Sequence, residues 1–184
     1  GLTMNSPIRL GIVGCGAVVE DMHLEAIELC SEFAVTHLID SELERAQRLL
    51  NRCPGAVALR SMAEAKDHID AVLIATPPHT HLPLAKEAFG RGFDVICEKP
   101  LANTPEECRQ MVRSSETAGK ILAVGQNFRF YPVRRRLHAL LQEHKLGRIT
   151  HIRATEGKPY RWQSVTGYTV KRDLVPGGVL LNAG

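Results

Sequence analysis

The first two thirds of the chain alternate short apolar runs with helix-like segments, and this alternation restricts the possible folds more than any other feature. Each run has the length of a strand, is rich in Val, Ile or Leu, and is nearly continuous, as strands buried on both faces of a parallel sheet are. The runs, of which the third is the weakest, are Ile8–Val13, Ala34–Ile39, Ala56–Leu59, Ala71–Ala75, Asp94–Cys97 and Ile121–Val124. Strands that alternate with helices predict an α/β fold with a doubly wound parallel sheet.

The segments between these runs carry helix signals. The clearest helix begins after Thr104, which suits an N-cap, with Pro105 at the first helical position, and it ends at Gly119. The other predicted helical segments are Val18–Cys30, Glu42–Cys53, Ser61–Lys66 and His79–Gly90.

The rhythm of the sequence changes after residue 128. A basic amphipathic helix is predicted over Val133–His144, followed by a half-exposed strand over Ile149–Glu156. Residues 1–128 carry a net charge of −5, whereas residues 129–184 carry +8. We therefore predict a first domain over residues 1–128 and the beginning of a second domain over residues 129–184, which faces an anionic ligand.

A glycine-rich turn joins the first predicted strand to the first helix. Gly14-Cys15-Gly16-Ala17-Val18-Val19 follows the G-x-G-x-x-G dinucleotide fingerprint, with Val19 in place of the third glycine. Gly14 permits the tight turn, and Gly16 leaves room for a pyrophosphate to approach the backbone N–H groups at the start of the helix. A structural turn with two glycines is the alternative.

Asp40 ends the second predicted strand, 24 residues after Gly16. A carboxylate at about this spacing accepts hydrogen bonds from the adenosine ribose and repels a 2′-phosphate, so NAD is favoured over NADP. Arg45 and Arg48 leave NADP possible, because either could pair with the extra phosphate. The simpler alternative is that Asp40 only caps the helix that follows it.

Composition excludes several classes of protein. Apolar residues make up 44% of the chain and charged residues 23%, which is typical of a globular domain. The five cysteines are scattered without a C-x-x-C pair, so we predict neither a disulfide framework nor a metal site, and a cytoplasmic location. No apolar stretch is long enough for a membrane span. Arg134-Arg135-Arg136 is predicted to be a solvated helix face rather than a nucleic-acid contact.

Two further motifs follow predicted strands, where ligands bind in open α/β sheets. They are Thr76-Pro77-Pro78-His79-Thr80-His81 and Glu98-Lys99-Pro100. Together with the glycine turn they give a series of segments that resembles the glucose–fructose oxidoreductase/inositol dehydrogenase/rhizopine catabolism (Gfo/Idh/MocA) family along essentially the whole chain. The segments are VGCGAVVEDMH, LID, LIATPPHTH, VICEKPLANTPEE and VGQNFRF.

The resemblance implies a Rossmann NAD(P) domain, a following α/β substrate domain, and hydride transfer to or from a sugar, polyol or related hydroxyl compound. It also implies a homo-oligomer, with no nucleic-acid or membrane partner. Lys99 matches the lysine that lies beside the substrate hydroxyl and the nicotinamide, where an ammonium could polarise the reacting oxygen. The alternative is that Lys99 only pairs with Glu98 at a loop corner. The cofactor-contacting positions implied by the resemblance are Gly14, Gly16, Ala17, Val18, Asp40, Thr76, Pro77, His81, Glu98, Lys99, Asn127, Arg129 and Trp162. For Asn127 and Arg129 the contact could instead be to the substrate, and for Trp162 the alternative is a domain-interface anchor.

The family's second domain carries a glycine-rich segment that leads to a general acid/base histidine. Pro176–Gly184 resembles the beginning of that segment, and the histidine would follow two residues later. We therefore expect a truncated chain that binds NAD and turns over negligibly. A non-catalytic dinucleotide-binding module or sensor is the alternative, and a nucleic-acid-binding protein is a third hypothesis.

Overall fold

The structure is a computed structural model that describes residues 6–66, 68–153, 155, 167, 171 and 173–175. The described residues form two compact units. The first runs to Gly125 and includes Lys171 and Asp173–Val175, and the second begins at Gln126. A hydrogen bond agrees with this grouping, because Asn103 Nδ2 donates to the Leu174 carbonyl at 3.1 Å. The predicted domain boundary at residue 128 stays a prediction.

The first unit contains one six-stranded parallel sheet. Its strands are β1 (Ile8–Val13), β2 (Phe33–Ile39), β3 (Val57–Leu59), β4 (Ala71–Ile74), β5 (Asp94–Cys97) and β6 (Leu122–Val124). Their order in the sheet is β3-β2-β1-β4-β5-β6, so the direction of chain progression reverses between β1 and β4. This order is the doubly wound Rossmann arrangement, which confirms the predicted fold class.

Register brings the carboxyl ends of the central strands into line. Val13 lies beside Ile39 on one side and Ile74 on the other, and Ile74 lies beside Cys97. The residues that follow these strand ends, from Gly14, Asp40, Ala75 and Glu98 onward, therefore leave the sheet at one edge.

Helices connect successive strands of the first unit along the chain. They are α1 (Leu24–Glu28), α2 (Leu43–Arg48), α3 (His81–Gly90) and α4 (Pro105–Ala118). The N-cap prediction for α4 is confirmed, because Thr104 Oγ1 accepts a hydrogen bond from the Glu107 N–H and the Glu107 carboxylate accepts one from the Thr104 N–H. Gly119 ends α4 in the left-handed conformation at φ +63°.

The single helix predicted over Val18–Cys30 is instead divided. A π-helical turn, Val19–His23, precedes the five-residue α1. The segment predicted over Glu42–Cys53 is divided in the same way, into α2 and a 3₁₀ turn at Leu50–Arg52. The strand-facing sides of these segments are nevertheless apolar, as the predictions require.

The core consists of two clusters on opposite faces of the sheet, because successive strand residues point to opposite sides. On one face, Val13, Val72 and Ile74 pack with Ala85, Phe89 and Met111 of α3 and α4. On the other face, Ile12, Leu38 and Leu73 pack with Val19 and Leu24 and with Leu49, which ends α2. Helices thus cover both faces and leave the strand ends to loops.

The second unit contains α5 (Pro132–Gln142), preceded by a 3₁₀ turn at Asn127–Phe130. The helix prediction for this segment is confirmed. The predicted strand over Ile149–Glu156 is wrong for the residues that can be compared, since residues 149–153 form no strand. Ile149 and Ile152 are exposed, and the described part of this unit offers no strand with which the segment could pair.

Candidate cofactor-binding site

The glycine turn after β1 packs directly against the loop after β4. Gly14 has φ +92°, and a Cβ atom at this position would lie 2.7 Å from Thr76 Cγ2 and 2.8 Å from the Ala75 carbonyl oxygen. The Gly14 N–H donates a hydrogen bond to the Ile39 carbonyl at 2.8 Å. Only glycine fits this position, because a side chain would meet both an unfavourable backbone conformation and a neighbouring loop.

Gly16 differs from Gly14 in facing open space. A Cβ atom at Gly16 would have no atom within 4 Å. Beyond it, Ala17 and Val18 begin the helical segment and are half-buried, whereas Val19, at the third glycine position, is fully buried in the core. Val19 therefore serves helix–sheet packing and leaves the approach to Gly16 open. The space fits the pyrophosphate of a dinucleotide.

Cys15, between the two glycines, keeps its thiol buried. Its side chain is completely inaccessible, and burial raises the pKa of the Cys15 thiol to about 12. The thiol is therefore neutral at physiological pH, so it adds no negative charge beside a phosphate.

Asp40 connects the end of β2 to the glycine turn. Its Oδ2 atom accepts a hydrogen bond from the Cys15 N–H at 2.8 Å, and its Oδ1 atom accepts one from the Glu42 N–H at 2.9 Å. Arg45 Nη1 lies 3.7 Å from Oδ1. The bond to Glu42 closes a turn just before α2, but the N-cap of α2 is Glu42 and has no side-chain cap hydrogen bond, so the capping alternative for Asp40 is not confirmed. A carboxylate has about four acceptor sites, so capacity for ribose hydroxyls remains.

The loop after β4 is fixed by its own hydroxyl groups. Thr76 Oγ1 and Thr80 Oγ1 lie 2.6 Å apart, and Thr80 Oγ1 donates a hydrogen bond to the Pro77 carbonyl at 2.7 Å. Thr76 and Pro77 are half-buried at the edge where the glycine turn lies. The structure therefore brings both residues to the predicted site.

His81 lies beneath this edge. Its ring is fully buried, with Nε2 2.7 Å from the Thr76 carbonyl oxygen and Nδ1 3.1 Å from the carbonyl oxygens of Pro100 and Leu101. Burial lowers the pKa of His81, only partly opposed by these carbonyl oxygens. The buried ring favours a role in holding two loops together over the direct cofactor contact predicted from the sequence.

Glu98 and Lys99 follow β5 and are joined by a cis peptide at Lys99–Pro100 to the next segment. Glu98 Oε2 accepts a hydrogen bond from the Lys99 N–H at 2.8 Å, while Oε1 lies 2.8 Å from His23 Nε2. Burial alone would raise the pKa of Glu98, but the hydrogen bonds from His23 and the Lys99 N–H outweigh it, so the pKa is lowered. The Lys99 side chain is exposed.

His23 belongs to the VGCGAVVEDMH segment, but it is not among the site residues predicted from the sequence. His23 is the last residue of the π-helical turn, and its partner Glu98 is 75 residues away along the chain. The available signal was a histidine on the helix that follows a glycine turn, at the same sheet edge as a glutamate.

The remaining predicted site residues belong to the second unit or are not among the described residues. Asn127 and Arg129 are exposed residues of the 3₁₀ turn in the second unit. In the same unit, the Phe128 and Tyr131 rings pack at 4.9 Å, and the Arg134 guanidinium lies 4.9 Å from the Phe128 ring centre. Trp162 and Pro176–Gly184 lie outside the described residues. In the described part of the chain, no three His, Cys, Asp or Glu residues gather to hold a metal.

Comparisons with known proteins agree with this geometry. Residues 8–126 match the family described as an oxidoreductase family with an NAD-binding Rossmann fold. The chain is 31% identical to the inositol 2-dehydrogenase of Arthrobacter sp. (strain FB24) over 160 residues, which cover 85% of this chain and 47% of the relative. It thus spans about half the length of the curated relatives that it matches.

Solved structures of similar proteins contain either NADH or NADP. The WlbA dehydrogenase from Bordetella pertussis, solved with NADH and UDP-GlcNAcA, matches with a TM-score of 0.72 and 28% identity, over 77% of this chain and 44% of that one. A 3-ketoreductase from Actinomadura kijaniata, solved with NADP, matches with a TM-score of 0.68 and 26% identity, over 74% of this chain and 44% of that one. The predicted nicotinamide cofactor class is confirmed. The chain therefore belongs to the Gfo/Idh/MocA oxidoreductase family, whose NAD-binding Rossmann fold it carries over residues 8–126.

Proposed function

We propose that the chain carries the cofactor site and the catalytic lysine of an NAD(P)-dependent dehydrogenase that acts on a sugar, polyol or related hydroxyl compound. The observation that supports this most is the convergence of Gly14, Asp40 and Lys99 on one edge of the sheet. The match to an oxidoreductase family favours this function over a non-catalytic sensor and over nucleic-acid binding. The inositol dehydrogenase relative supports the substrate class.

The proposed roles follow from the chemistry of each group. The open space at Gly16 and the N–H groups of Ala17 and Val18 receive the pyrophosphate, and Asp40 receives the adenosine ribose. Thr76 and Pro77 line the nicotinamide end, with Glu98 supporting Lys99. A bound nicotinamide supplies the hydride acceptor for oxidising a hydroxyl to a carbonyl. The Lys99 ammonium polarises the reacting oxygen through its N–H donors.

The preference for NAD over NADP rests on the surroundings of Asp40. Its side chain is 8% exposed and presents a negative charge where a 2′-phosphate would lie. Arg48 is paired with Glu20 at 2.8 Å, so it has a partner already, whereas Arg45 lies close enough to Asp40 to moderate its charge. We therefore propose NAD as the preferred cofactor and NADP as a weaker one.

Asn127, Arg129 and Trp162 are proposed as further contacts to cofactor or substrate from the residues that follow β6, because the family resemblance covers them. A homo-oligomer is proposed on the same basis. All five cysteines are free, which supports a reducing compartment such as the cytoplasm. No helix among the described residues is long and apolar enough to cross a membrane.

Titration with NAD and NADP, followed by an assay of NADH formation with inositols and glucosides, tests the proposal. The wild-type chain is expected to bind NAD more tightly than NADP. In Lys99→Met, NAD affinity should stay within a few fold, while any turnover falls by about 10²–10⁴, the usual contribution of a proton-transferring group. Lys86→Met, an exposed lysine on α3, is the matched control. A chain that binds neither dinucleotide would contradict the proposal.

A further inference from the structure

A histidine on the glycine-turn side of the site contacts the glutamate that precedes Lys99. His23 Nε2 and Glu98 Oε1 lie 2.8 Å apart, and their side chains are 24% and 16% exposed. We propose that His23 is a positioning residue, which acts through the Glu98 carboxylate to fix the backbone of Lys99. The inference rests on the proposed function for its catalytic meaning, but the contacts that carry it do not depend on a cofactor.

Glu98 is the bridge in this arrangement. One carboxylate oxygen contacts His23, and the other accepts the Lys99 N–H at 2.8 Å. The Glu98 main chain is held separately, since its N–H donates to the Ile74 carbonyl at 2.9 Å. Glu98 therefore has a fixed backbone, and its side chain has one donor on each oxygen.

The Glu98 carboxylate also lies close to the residue that follows β6. A Cβ atom at Gly125, after β6, would lie 3.6 Å from Oε1 and 3.7 Å from the Glu98 Cα atom. Gly125 is itself held by a hydrogen bond from its N–H to the Cys97 carbonyl at 2.8 Å. The carboxylate thus lies between Gly125, after β6, and His23 of the π-helical turn.

The direction of the hydrogen bond follows from the chemistry of the pair. An ionised carboxylate only accepts hydrogen bonds, so His23 must donate through Nε2. Both the neutral Nε2–H tautomer and the imidazolium satisfy this requirement. When the donor is removed, Oε1 loses its hydrogen-bond partner in a site largely shielded from water. Turning toward solvent then lowers the free energy of the carboxylate, because water replaces the lost donor. The Lys99 N–H then loses its acceptor.

This mechanism differs from a purely structural role for His23 in two ways. A side chain that only fills space can be replaced by an apolar residue of similar size, without any change at Lys99. A donor to Glu98 requires an N–H group in the same place, which the amide of glutamine can supply. The effect must also reach the backbone amide of Lys99, which His23 does not contact in the described hydrogen bonds.

The experiment measures amide hydrogen exchange and the ¹H–¹⁵N resonance of Lys99 in the full 184-residue chain, without cofactor. The variants are His23→Leu, His23→Gln and the control Glu25→Ala, which removes an exposed side chain from the adjacent helix. In His23→Leu, the Lys99 amide is expected to shift and to exchange roughly tenfold faster or more, as for the loss of a charge-assisted hydrogen bond. His23→Gln should restore most of the wild-type behaviour, and Glu25→Ala should retain all of it.

A Lys99 amide that is unchanged in folded His23→Leu overturns the proposal, as does a His23→Gln chain that behaves like His23→Leu. If His23→Leu does not fold, His23→Met decides, because methionine also lacks an N–H donor and is flexible enough to fill the same space. An unchanged exchange rate of the Lys99 amide in His23→Met would overturn the proposal.

NAD titration of the same variants separates this proposal from the proposed function. If His23 positions Lys99 but the chain is no dehydrogenase, the amide changes appear and NAD does not bind. If the chain binds NAD but His23 has no such role, the variants bind NAD, and the exchange rate and resonance of the Lys99 amide are the same as in the wild type.

Discussion

Oδ2 of Asp40 accepts a hydrogen bond from the backbone N–H of Cys15 at 2.8 Å, so the end of β2 directly holds the glycine turn after β1. The bond is buried, and it joins residues 25 positions apart. Asp40 therefore shapes the phosphate-binding turn in addition to any contact with ribose. Substitutions at this position change both the fold and the ligand site, and an experiment must separate the two.

Asp40→Ala is expected to weaken NAD binding and to lower the free energy of unfolding by about 1–3 kcal/mol, because the buried Cys15 N–H loses its acceptor. Asp40→Asn keeps one acceptor oxygen and removes the charge, so it should be more stable than Asp40→Ala and should improve NADP binding relative to NAD. Calorimetric titration with both cofactors and thermal unfolding measure these effects.

Asp94→Ala is the matched control for Asp40. Asp94 Oδ1 accepts a hydrogen bond from the Ile121 N–H at 2.8 Å, but at the start of β5, on the opposite edge of the sheet. This variant should lose stability without losing NAD affinity. Unchanged NAD affinity in Asp40→Ala would overturn the ribose assignment.

The two glycines of the turn give a second prediction. Gly14→Ala places a Cβ 2.7 Å from Thr76 Cγ2 at φ +92°, so the free energy of unfolding should fall by about 2–5 kcal/mol. A Cβ atom at Gly16 would have no atom within 4 Å, so the free energy of unfolding of Gly16→Ala should differ from the wild-type value by no more than about 1 kcal/mol. Its NAD affinity should nevertheless fall, because the methyl group occupies the space proposed for the pyrophosphate. A Gly16→Ala chain that binds NAD normally would argue against that placement.

Local patterns in the sequence were sufficient for the sheet. The bounds of β1 and β5 match their apolar runs, and the N-cap and C-cap of α4 are those of the Thr104 and Gly119 signals. The π-helical turn could not be predicted, because over five residues the i→i+5 and i→i+4 hydrogen-bond patterns bury nearly the same positions. The strand prediction is wrong at residues 149–153 for a different reason: alternation shows that a segment can pair, not that a partner strand exists.

The sequence predicted which edge of the sheet carries the site, because ligands bind beyond the carboxyl ends of parallel strands. It did not predict which way the side chains point. The His23–Glu98 contact and the burial of His81 both depend on tertiary packing between loops that are distant along the chain. Residue type alone could therefore assign His81 to the site but not distinguish a ligand contact from a support beneath it.

His81 predicts a pH dependence of stability. Because burial lowers its pKa below the unfolded value of about 6.5, the unfolded chain binds the proton more readily. Its contribution to stability is complete above about pH 6.5, and it is lost as the pH falls from there through the folded pKa. His81→Gln should flatten this part of the profile of unfolding free energy against pH, measured with urea between pH 5 and 8.

His138→Ala, an exposed histidine on α5, is the control and should keep the wild-type slope. If the wild-type chain instead gains stability relative to His81→Gln between pH 7 and 5, the three surrounding carbonyl oxygens outweigh burial. The pKa of His81 would then be raised rather than lowered.

The last prediction concerns the end of the sheet opposite the candidate site. There, hydrogen bonds between Arg9 of β1 and Asp70, which precedes β4, join the two strands. Arg9 Nε and Nη2 contact the two carboxylate oxygens at 2.9 and 3.0 Å, and the Arg9 N–H donates at 2.8 Å. These hydrogen bonds hold the pKa of Asp70 well below its usual range. The stabilisation is therefore present above the unfolded value of about 3.9 and lost as the pH falls below it. Asp70→Asn should cost about 1 kcal/mol or less at pH 7, because the Asp70 side chain is 35% exposed and solvent screens the pair.

The difference between wild type and Asp70→Asn should shrink as the pH is lowered toward 2, and also in 1 M salt at pH 7. Glu87→Gln is the control, because it breaks the pair between Glu87 of α3 and Arg91, the C-cap residue of that helix. It should have a smaller effect, since the two partners are only four residues apart along the chain. NAD affinity should be unchanged in both variants at pH 7, since neither residue lies at the carboxyl ends of the strands. A difference that stays constant from pH 7 to 2 would show that shape rather than charge holds the two strands together here.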